Sequence, residues 1–368
     1  MRVLVTGAQG FIGKNLVVRL GEMPGHEVLA FTRADAPDAL AAQVARADAI
    51  VHLAGENRPP DVADYARVNA GLTQTLCEQV RASGRQIPLI LASSTQAALD
   101  NPYGLSKRQA ERAVEQLAAD TGNPAIIYRL PGVFGKWCRP NYNSVVATFC
   151  HNIANDLPIQ INDPDAVVRL VYVDDVVGAF IAQLGAAGNG VQRGDVQPVH
   201  AISLGDLAAR IEAFRTCRTA LTIEPVGTGL VRALYSTYVS YLPTSRFVYD
   251  VPQHTDSRGV FVEMLKTRDS GQFSYFTSKP GVTRGAHYHH SKTEKFLVIR
   301  GTARFGFRHI VTGETYQVVT SGETPRIVET VPGWTHDITN VGDDEMLVML
   351  WANEIFDRDN PDTIPCKV

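Results

Sequence analysis

No apolar stretch in the 368-residue sequence reaches the roughly 18–20 residues that a membrane-crossing helix needs, so no membrane partner is expected. Cysteine is scarce: Cys77, Cys138, Cys150, Cys217 and Cys366 are odd in number and never spaced C-x-x-C. That pattern argues against a disulfide framework and a cysteine-built zinc site, and it predicts a reduced, cytoplasmic chain. An excess of one charge is also missing, with 35 Lys+Arg against 38 Asp+Glu, a net charge of -3 and no basic run. Nucleic-acid affinity comes largely from phosphate neutralisation, so no nucleic-acid partner is expected. The opening MRVLVTGAQG runs straight into a strand and a glycine loop, which predicts no signal peptide. What is present, 45% hydrophobic and 20% charged residues, is the balance of a folded protein. At ~150 residues per domain the length suggests about two domains.

The first part of the chain alternates short β-branched runs with helical periods, the signature of a parallel sheet with crossover helices. Arg2 to Thr6, Glu27 to Thr32, Ala49 to Leu53, Pro88 to Ala92 and Ala125 to Tyr128 read as strands. Tyr103 to Ala119 reads as a helix with Leu105, Ala110, Ala113, Val114 and Leu117 on one face. Gly185 to Pro198 reads as a loop, and Ser203 to Arg215 as a helix capped by Ser203 with Asp206 at its third position. After Leu242, glycine and proline punctuate FVEM, FSYF, KFLVIRG, ARFGF, YQVVT and MLVMLW. Regular short strands of this kind predict an all-β sandwich or barrel. The boundary is placed at residue 243, giving domains 1–243 and 244–368.

Thr6 to Gly13 follows the first strand, with Phe11 and Ile12 opening a helix. Gly7 permits the tight turn, Gly10 lets the backbone approach a pyrophosphate, and Gly13 allows close helix packing. The second strand ends at Thr32-Arg33. An acidic residue there would hold the ribose hydroxyls of NAD, whereas an arginine can pair with a 2′-phosphate. NADPH is therefore the expected cofactor, with a merely solvated Arg33 as the alternative. Tyr103 and Lys107 lie four apart, one turn up the same helical face. An ammonium beside a phenol lowers the phenol's pKa, so Tyr103 is expected to exchange a proton near neutral pH. Ser93 and Ser94 close the fourth strand, where a hydroxyl can hold the substrate oxygen.

In the C-terminal half, His287 and His289 alternate onto one face of a strand, Glu294 follows, and His336 stands in a second histidine segment. Three imidazoles and a carboxylate suit a borderline divalent metal, with Zn2+ favoured by ligand type. His290 and His309 are read as unassigned surface residues.

TGAQGFIG at 6–13, HLAG at 52–55, VNAGLT at 68–73, ASS at 92–94, PYGLSK at 102–107, RLPGVFG at 129–135 and VYVDDV at 171–176 give residues 1 to about 240 their resemblance to extended short-chain dehydrogenase/reductases. The resemblance implies a Rossmann-like, doubly wound parallel sheet with Ser94, Tyr103 and Lys107 as the catalytic set and Asn69 in support. Ser93 and Thr95 stay open as the catalytic hydroxyl. It also implies Leu53, Ala54, Gly55, Asn69 and Lys107 along the cofactor, with Pro131 and Val133 beside the nicotinamide. Asn141 and Asn143 are candidates to face a sugar nucleotide.

The two histidine segments resemble the motifs of the cupin superfamily over roughly residues 253–350. That implies an all-β jelly roll with His287, His289, Glu294 and His336 as metal ligands. Asp256 to Glu263 and Thr283 to Tyr288 also look like the sugar-nucleotide 3,5-epimerases, a metal-free cupin branch in which the residue matching His287 is the base. His287 is thus a ligand, a base, or both.

The whole chain, including KWCRPNYNSVVATFC at 136–150, LYSTYVSYLP at 234–243 and EKFLVIRG at 294–301, is similar to a bifunctional dehydrogenase–cupin family of capsule and O-antigen synthesis. The resemblance implies a UDP-linked 4-keto-6-deoxy amino sugar as substrate. The cupin would invert C3 of UDP-2-acetamido-2,6-dideoxy-β-L-arabino-hex-4-ulose. NADPH would then reduce C4 to UDP-2-acetamido-2,6-dideoxy-β-L-talose. Two alternatives remain: a 4-epimerase or dehydratase using tightly bound NAD, and a single-activity ketoreductase whose cupin senses or dimerises. A homodimer is the expected assembly.

Overall fold

Val3, Leu4 and Val5 are fully buried, as a strand covered on both faces requires. They form the centre of β1 (Arg2–Thr6) in the computed structural model, which describes every residue except 186–187, 257–258, 263–264, 268–270, 355–356 and 358. There follow α1 (Phe11–Gly21), β2 (Glu27–Phe31), α2 (Pro37–Arg46), β3 (Ala49–His52), α3 (Leu72–Ala82), β4 (Leu89–Ser94), α4 (Pro102–Thr121), β5 (Ala125–Leu130) and β6 (Gly132–Phe134). Next come α5 (Val145–Ala154), β7 (Val167–Tyr172), α6 (Val173–Ala182), β8 (Val191–Gly194), β9 (His200–Ser203), α7 (Leu204–Ala220), β10 (Thr222–Ile223), α8 (Gly229–Val239) and β11 (Val248–Asp250).

Met1–Ser144 and Val168–Ile202 make one compact unit; Val145–Val167 and Ser203–Val368 make the other. In the first unit six parallel strands run in the order β2-β1-β3-β4-β5-β8. One face of that sheet buries Leu4, Ile50, Leu89 and Ile127 against Leu76 and Val80 of α3 and Val114 and Leu117 of α4. The Rossmann-like expectation is met. Two details differ. Leu105 is exposed, because α4 buries Lys107, Ala110, Val114 and Leu117, and five residues from Leu105 to Ala110 turn the helix by about 140°. The expected loop after Gly185 contains β8, a polar strand at the edge of the sheet.

The second unit carries β12 (Gln253–Asp256), β13 (Gly259–Val262), β14 (Lys266–Thr267), β15 (Gln272–Ser278), β16 (Thr283–Tyr288), β17 (Glu294–Arg300), β18 (Thr302–His309), β19 (Thr315–Ser321), β20 (Arg326–Glu329), β21 (Trp334–Asn340), β22 (Met346–Ala352) and β23 (Ile364–Pro365). Of the epimerase-like segment 256–263, Ser257, Arg258 and Glu263 lie outside the described residues. Two antiparallel five-stranded sheets, β11-β20-β17-β22-β15 and β19-β18-β21-β16-β23, form the β-domain. Phe296 of the first meets Phe305 of the second with ring centroids 5.7 Å apart. Ser203 caps α7 as its sequence predicts, accepting from Asp206 N at 3.1 Å.

Helices α7 and α8 join this unit's sheet through buried charge. Glu329 of β20 accepts from Arg218 of α7 at 2.6 Å, from the Tyr235 hydroxyl of α8 at 2.7 Å, and from Lys295 of β17. Arg218 lies over the Tyr249 ring, 4.2 Å from its centroid.

Candidate functional site

Side chains singled out in the sequence gather in two clusters, one in each unit. In the first, Gly7 has a φ of 71°, and a Cβ there would stand 2.7 Å from Ala54 N. A Cβ on Gly13 would stand 2.2 Å from the Gly7 carbonyl oxygen, so the loop closes only with glycine at both places. Helix α1 starts at Gly10 with neither a side-chain cap nor an acidic residue in its first turn, leaving its N–H groups and dipole open to an anion. Thr6 holds the neighbouring loop, its Oγ1 accepting from Leu53 N at 3.2 Å and Ala54 N at 3.3 Å. The same hydroxyl lies 2.6 Å from His52 Nδ1, and His52 Nε2 is 2.8 Å from Thr73 Oγ1. Burial, with Lys107 adding to it, lowers the His52 pKa to about 3, so this ring is a neutral strut.

Tyr103 sits in the first turn of α4 because Asn101 caps that helix, accepting from Gly104 N at 2.7 Å, and Pro102 supplies its first residue. Ser94 is close enough to the Tyr103 phenol to pull its pKa down. Ser93 faces elsewhere: its hydroxyl donates to Glu111 at 2.5 Å, and Glu111 is clamped in turn by Arg129. Thr95 opens a short 3-10 turn and is exposed. Among these three hydroxyls, Ser94 is the one that acts on the Tyr103 pKa.

Lys107 is buried, donates to Ala92 O at 3.2 Å, and lies over the Tyr103 ring, 5.8 Å from its centroid. Burial lowers its pKa to about 8 against the opposing pull of Glu111. The expected acidification of Tyr103 by this lysine is not met. Burial raises the phenol's pKa and outweighs the lowering by Ser94. Asn69 occupies a π-helical turn, Tyr65–Gly71, and receives Glu56 N at 2.7 Å while donating to Ser106 Oγ at 3.0 Å. A Cβ on Gly55 would stand 2.9 Å from Asn69 Oδ1 and 3.2 Å from Lys107 Nζ, so Gly55, Asn69 and Lys107 converge.

Phe11 and Ile12 begin α1, and Pro131 and Val133 flank the β5–β6 junction. Thr32 N and Oγ1 both donate to Asp35, at 2.7 and 2.8 Å. Arg33 is largely exposed and pairs with Glu56, a partner that sequence reading did not find. Asn143 accepts from Arg58 Nε at 3.2 Å, while Asn141 is exposed on a left-handed backbone at φ 52°.

In the β-domain the strand carrying His287 bulges. Ala286 has a φ of 57°, and the β16–β21 register shifts so that His287 stands opposite His336. Ring centroids are 4.7 Å apart for His287–His336, 5.0 Å for His287–His289 and 5.2 Å for His289–His336. Glu294, at the start of β17, places Oε2 3.2 Å from His289 Nε2 and 3.5 Å from His336 Nε2. One ligand atom from each of the four lies within 4.8 Å of the others. Neither ring nitrogen of buried His336 makes a well-formed hydrogen bond. Burial, reinforced by His336 and His289, lowers His287 to about 4. Burial opposes ionisation of Glu294, but His289 and His336 outweigh it and hold the carboxyl well below its usual range. Three imidazoles around an ionised carboxylate, with both nitrogens of His336 unpartnered, fit a divalent cation. His290 is not a surface residue: it is buried, and its N–H is bound by Asp362. His309 is half-buried, edge-on to Trp334.

Residues 3–197 match the NAD dependent epimerase/dehydratase family, and residues 254–364 match the polysaccharide biosynthesis C-terminal domain. The chain belongs to the NAD dependent epimerase/dehydratase family. Membership makes its cofactor a nicotinamide dinucleotide. This epimerase/dehydratase-family chain is 59% identical over 369 residues to a UDP-2-acetamido-2,6-beta-L-arabino-hexul-4-ose reductase of Pseudomonas aeruginosa, covering 100% of this chain and 99% of the relative. The crystal structure of the capsular polysaccharide assembling protein CapF from Staphylococcus aureus superposes with a TM-score of 0.66 at 38% identity, covering 100% of each chain. A UDP-glucuronic acid 4-epimerase from Bacillus cereus, in complex with NAD, shares the fold at 20% identity and a TM-score of 0.51, over 58% of this chain and 83% of its own.

Proposed function

We propose that the chain performs two consecutive steps on one UDP-linked 4-keto-6-deoxy amino sugar. In the β-domain, read as a cupin jelly roll, the proton at C3 of UDP-2-acetamido-2,6-dideoxy-β-L-arabino-hex-4-ulose is removed and returned on the opposite face. The ketone at C4 is then reduced to give UDP-2-acetamido-2,6-dideoxy-β-L-talose. Residues 1–243 serve reduction and residues 244–368 serve inversion. The observation that carries this reading is the presence in one chain of the Ser94–Tyr103–Lys107 set and the four-residue cluster around His287. The activity of the Pseudomonas aeruginosa relative, a UDP-2-acetamido-2,6-beta-L-arabino-hexul-4-ose reductase, agrees with its reductive step.

Ser94 holds the ketone oxygen, and Tyr103 passes its phenolic proton to the oxygen as C4 is reduced. Lys107, one turn along α4, holds the phenol and the cofactor ribose, with Asn69 beside it. The loop at Gly7, Gly10 and Gly13 takes the pyrophosphate, Leu53, Ala54 and Gly55 line the cofactor, and Pro131 and Val133 flank the nicotinamide. Arg33 selects NADPH through the 2′-phosphate, with its charge shared by Glu56. Asn141 and Asn143 face the sugar nucleotide. His289, Glu294 and His336 hold a divalent cation, assigned as Zn2+. His287, the least buried of the four, completes that set or moves the C3 proton. When bound, the nicotinamide supplies a hydride, and the cation supplies Lewis acidity toward developing negative charge. The reaction belongs in the cytoplasm, in a homodimer.

The test is deuterium uptake at C3 of the 4-keto substrate in heavy water without NADPH, using full-length protein. Wild type and Tyr103→Phe are expected to exchange C3, and His287→Asn is not. With NADPH added, Tyr103→Phe is expected to lose reduction by at least about 100-fold. Absence of C3 exchange in wild type would reduce the proposal to a simple ketoreductase.

A further inference from the structure

The imidazole of His289 is held from far along the chain. Its Nδ1 lies 2.5 Å from the backbone carbonyl oxygen of Asp362. The Asp362 carboxylate meanwhile accepts three consecutive backbone N–H groups: His290 at 2.9 Å on Oδ1, then Ser291 at 2.8 Å and Lys292 at 2.7 Å on Oδ2. The Ser291 hydroxyl adds a fourth contact at 3.1 Å. This turn joins His289 to Glu294, so one residue fixes both the ring of one cluster member and the backbone leading to the next. Successive N–H groups around a carboxylate form a charge-assisted nest.

The surrounding segment is anchored on both sides. Lys292 Nζ donates to Pro361 O at 2.9 Å and to Thr363 Oγ1 at 2.6 Å. Strand β23 pairs with β16, placing Pro365 opposite His287 and Ile364 opposite Tyr288. Cys366 N donates to the carbonyl oxygen of the bulge residue Ala286 at 2.8 Å. Asp362 has a φ of 40°, a left-handed backbone that non-glycine residues adopt only with strain. Its four contacts with the turn hold it there.

We propose that Asp362 is a positioning residue for the histidine–glutamate cluster: through its carboxylate it fixes the 290–292 turn, and through its carbonyl it holds His289 as the Nδ1–H tautomer with Nε2 turned toward Glu294. The inference rests on the reading that this cluster holds a divalent cation. A carbonyl accepting from the second nitrogen of a ligating imidazole sets the ring's tautomer and orientation, and loss of such support typically weakens metal binding about 10–100-fold.

The experiment uses the full chain, stripped by a chelator and titrated with Co2+ while its visible d–d bands are recorded. Wild type should bind one Co2+ per chain, and His289→Ala should lose that site. Asp362→Ala should bind about 10–100-fold more weakly with altered bands. Asp362→Asn, which keeps one acceptor oxygen, should recover part of the affinity. Wild-type affinity and bands in Asp362→Ala would overturn the assignment of Asp362 while leaving the metal site standing. Wild type that binds no Co2+, or His289→Ala that binds it unchanged, would overturn the metal reading and this inference together. If Asp362→Ala does not match the metal-free circular dichroism of wild type, Asp362→Asn decides: reduced affinity supports the role, and wild-type affinity refutes it.

Discussion

At the scale of single residues, Lys107 sets stability against activity. Its burial lowers its pKa from the usual 10.5 to about 8, a difference on the order of 3 kcal/mol at ~1.4 kcal/mol per pH unit. Between those two values the unfolded chain binds a proton that the folded chain has released, so stability rises with pH across that window. Below pH 8 the penalty is fully present. Lys107→Met should therefore abolish reduction while stabilising the protein by about 1–3 kcal/mol at pH 7, and denaturant unfolding should show that advantage shrinking toward pH 10. The serine pair makes a second prediction. Ser94→Ala should lower kcat by about 100-fold with little change in stability. Ser93→Ala should leave kcat near wild type and cost about 1–2 kcal/mol, because it strips a buried donor from Glu111. Steady-state kinetics and thermal melts of the two variants would separate these effects. The sequence made the serine pair and the Tyr103–Lys107 spacing legible because both are local. The different surroundings of the two serines were hidden, since they depend on Glu111 taking the Ser93 hydroxyl. The raised pKa of Tyr103 was hidden too, because burial is not written in a four-residue spacing.

At the scale of elements, periodicity reported what is apolar and missed what is polar. Strands such as Leu89–Ser94 declare themselves by buried aliphatic runs, whereas β8, reading VQRG at the sheet edge, has no such run. The histidine cluster was legible in two short segments, yet Asp362 was not, since nothing local connects it to His289. The same holds for Glu329, whose partners Lys295, Arg218 and Tyr235 come from β17, α7 and α8. Burial opposes ionisation of Glu329, but Lys295 and Arg218 outweigh it and keep the carboxyl below its usual range. Glu329→Gln leaves two cations facing a neutral amide and should cost about 3–5 kcal/mol in urea unfolding at pH 7. A carboxylate with a depressed folded pKa stabilises above its unfolded value, near 4.5, and loses that contribution as pH falls through the folded one. The gap between wild type and Glu329→Gln should accordingly close under acid.

At the scale of the whole molecule, the sequence places a boundary at residue 243, just after α8, while the buried contacts of α7 and α8 extend to β17 and β20. Arg218 and Tyr235 reach Glu329, and Ser236 donates to Ser291 O at 2.7 Å. A fragment ending at residue 243 would expose these groups without partners. It should elute as aggregate in size-exclusion chromatography, whereas full-length protein should not; a monodisperse fragment that melts cooperatively would refute this. Among the described residues, no helix is long and apolar enough to cross a membrane. The contacts of Asp362 also impose an order on biosynthesis. Residues 361–366 leave the ribosome after every strand they pack against, so while β16, β17 and β21 emerge, His289 still lacks the carbonyl that orients it. The four-residue cluster is therefore completed only after β16, β17 and β21 have emerged, by a strand translated later than all three.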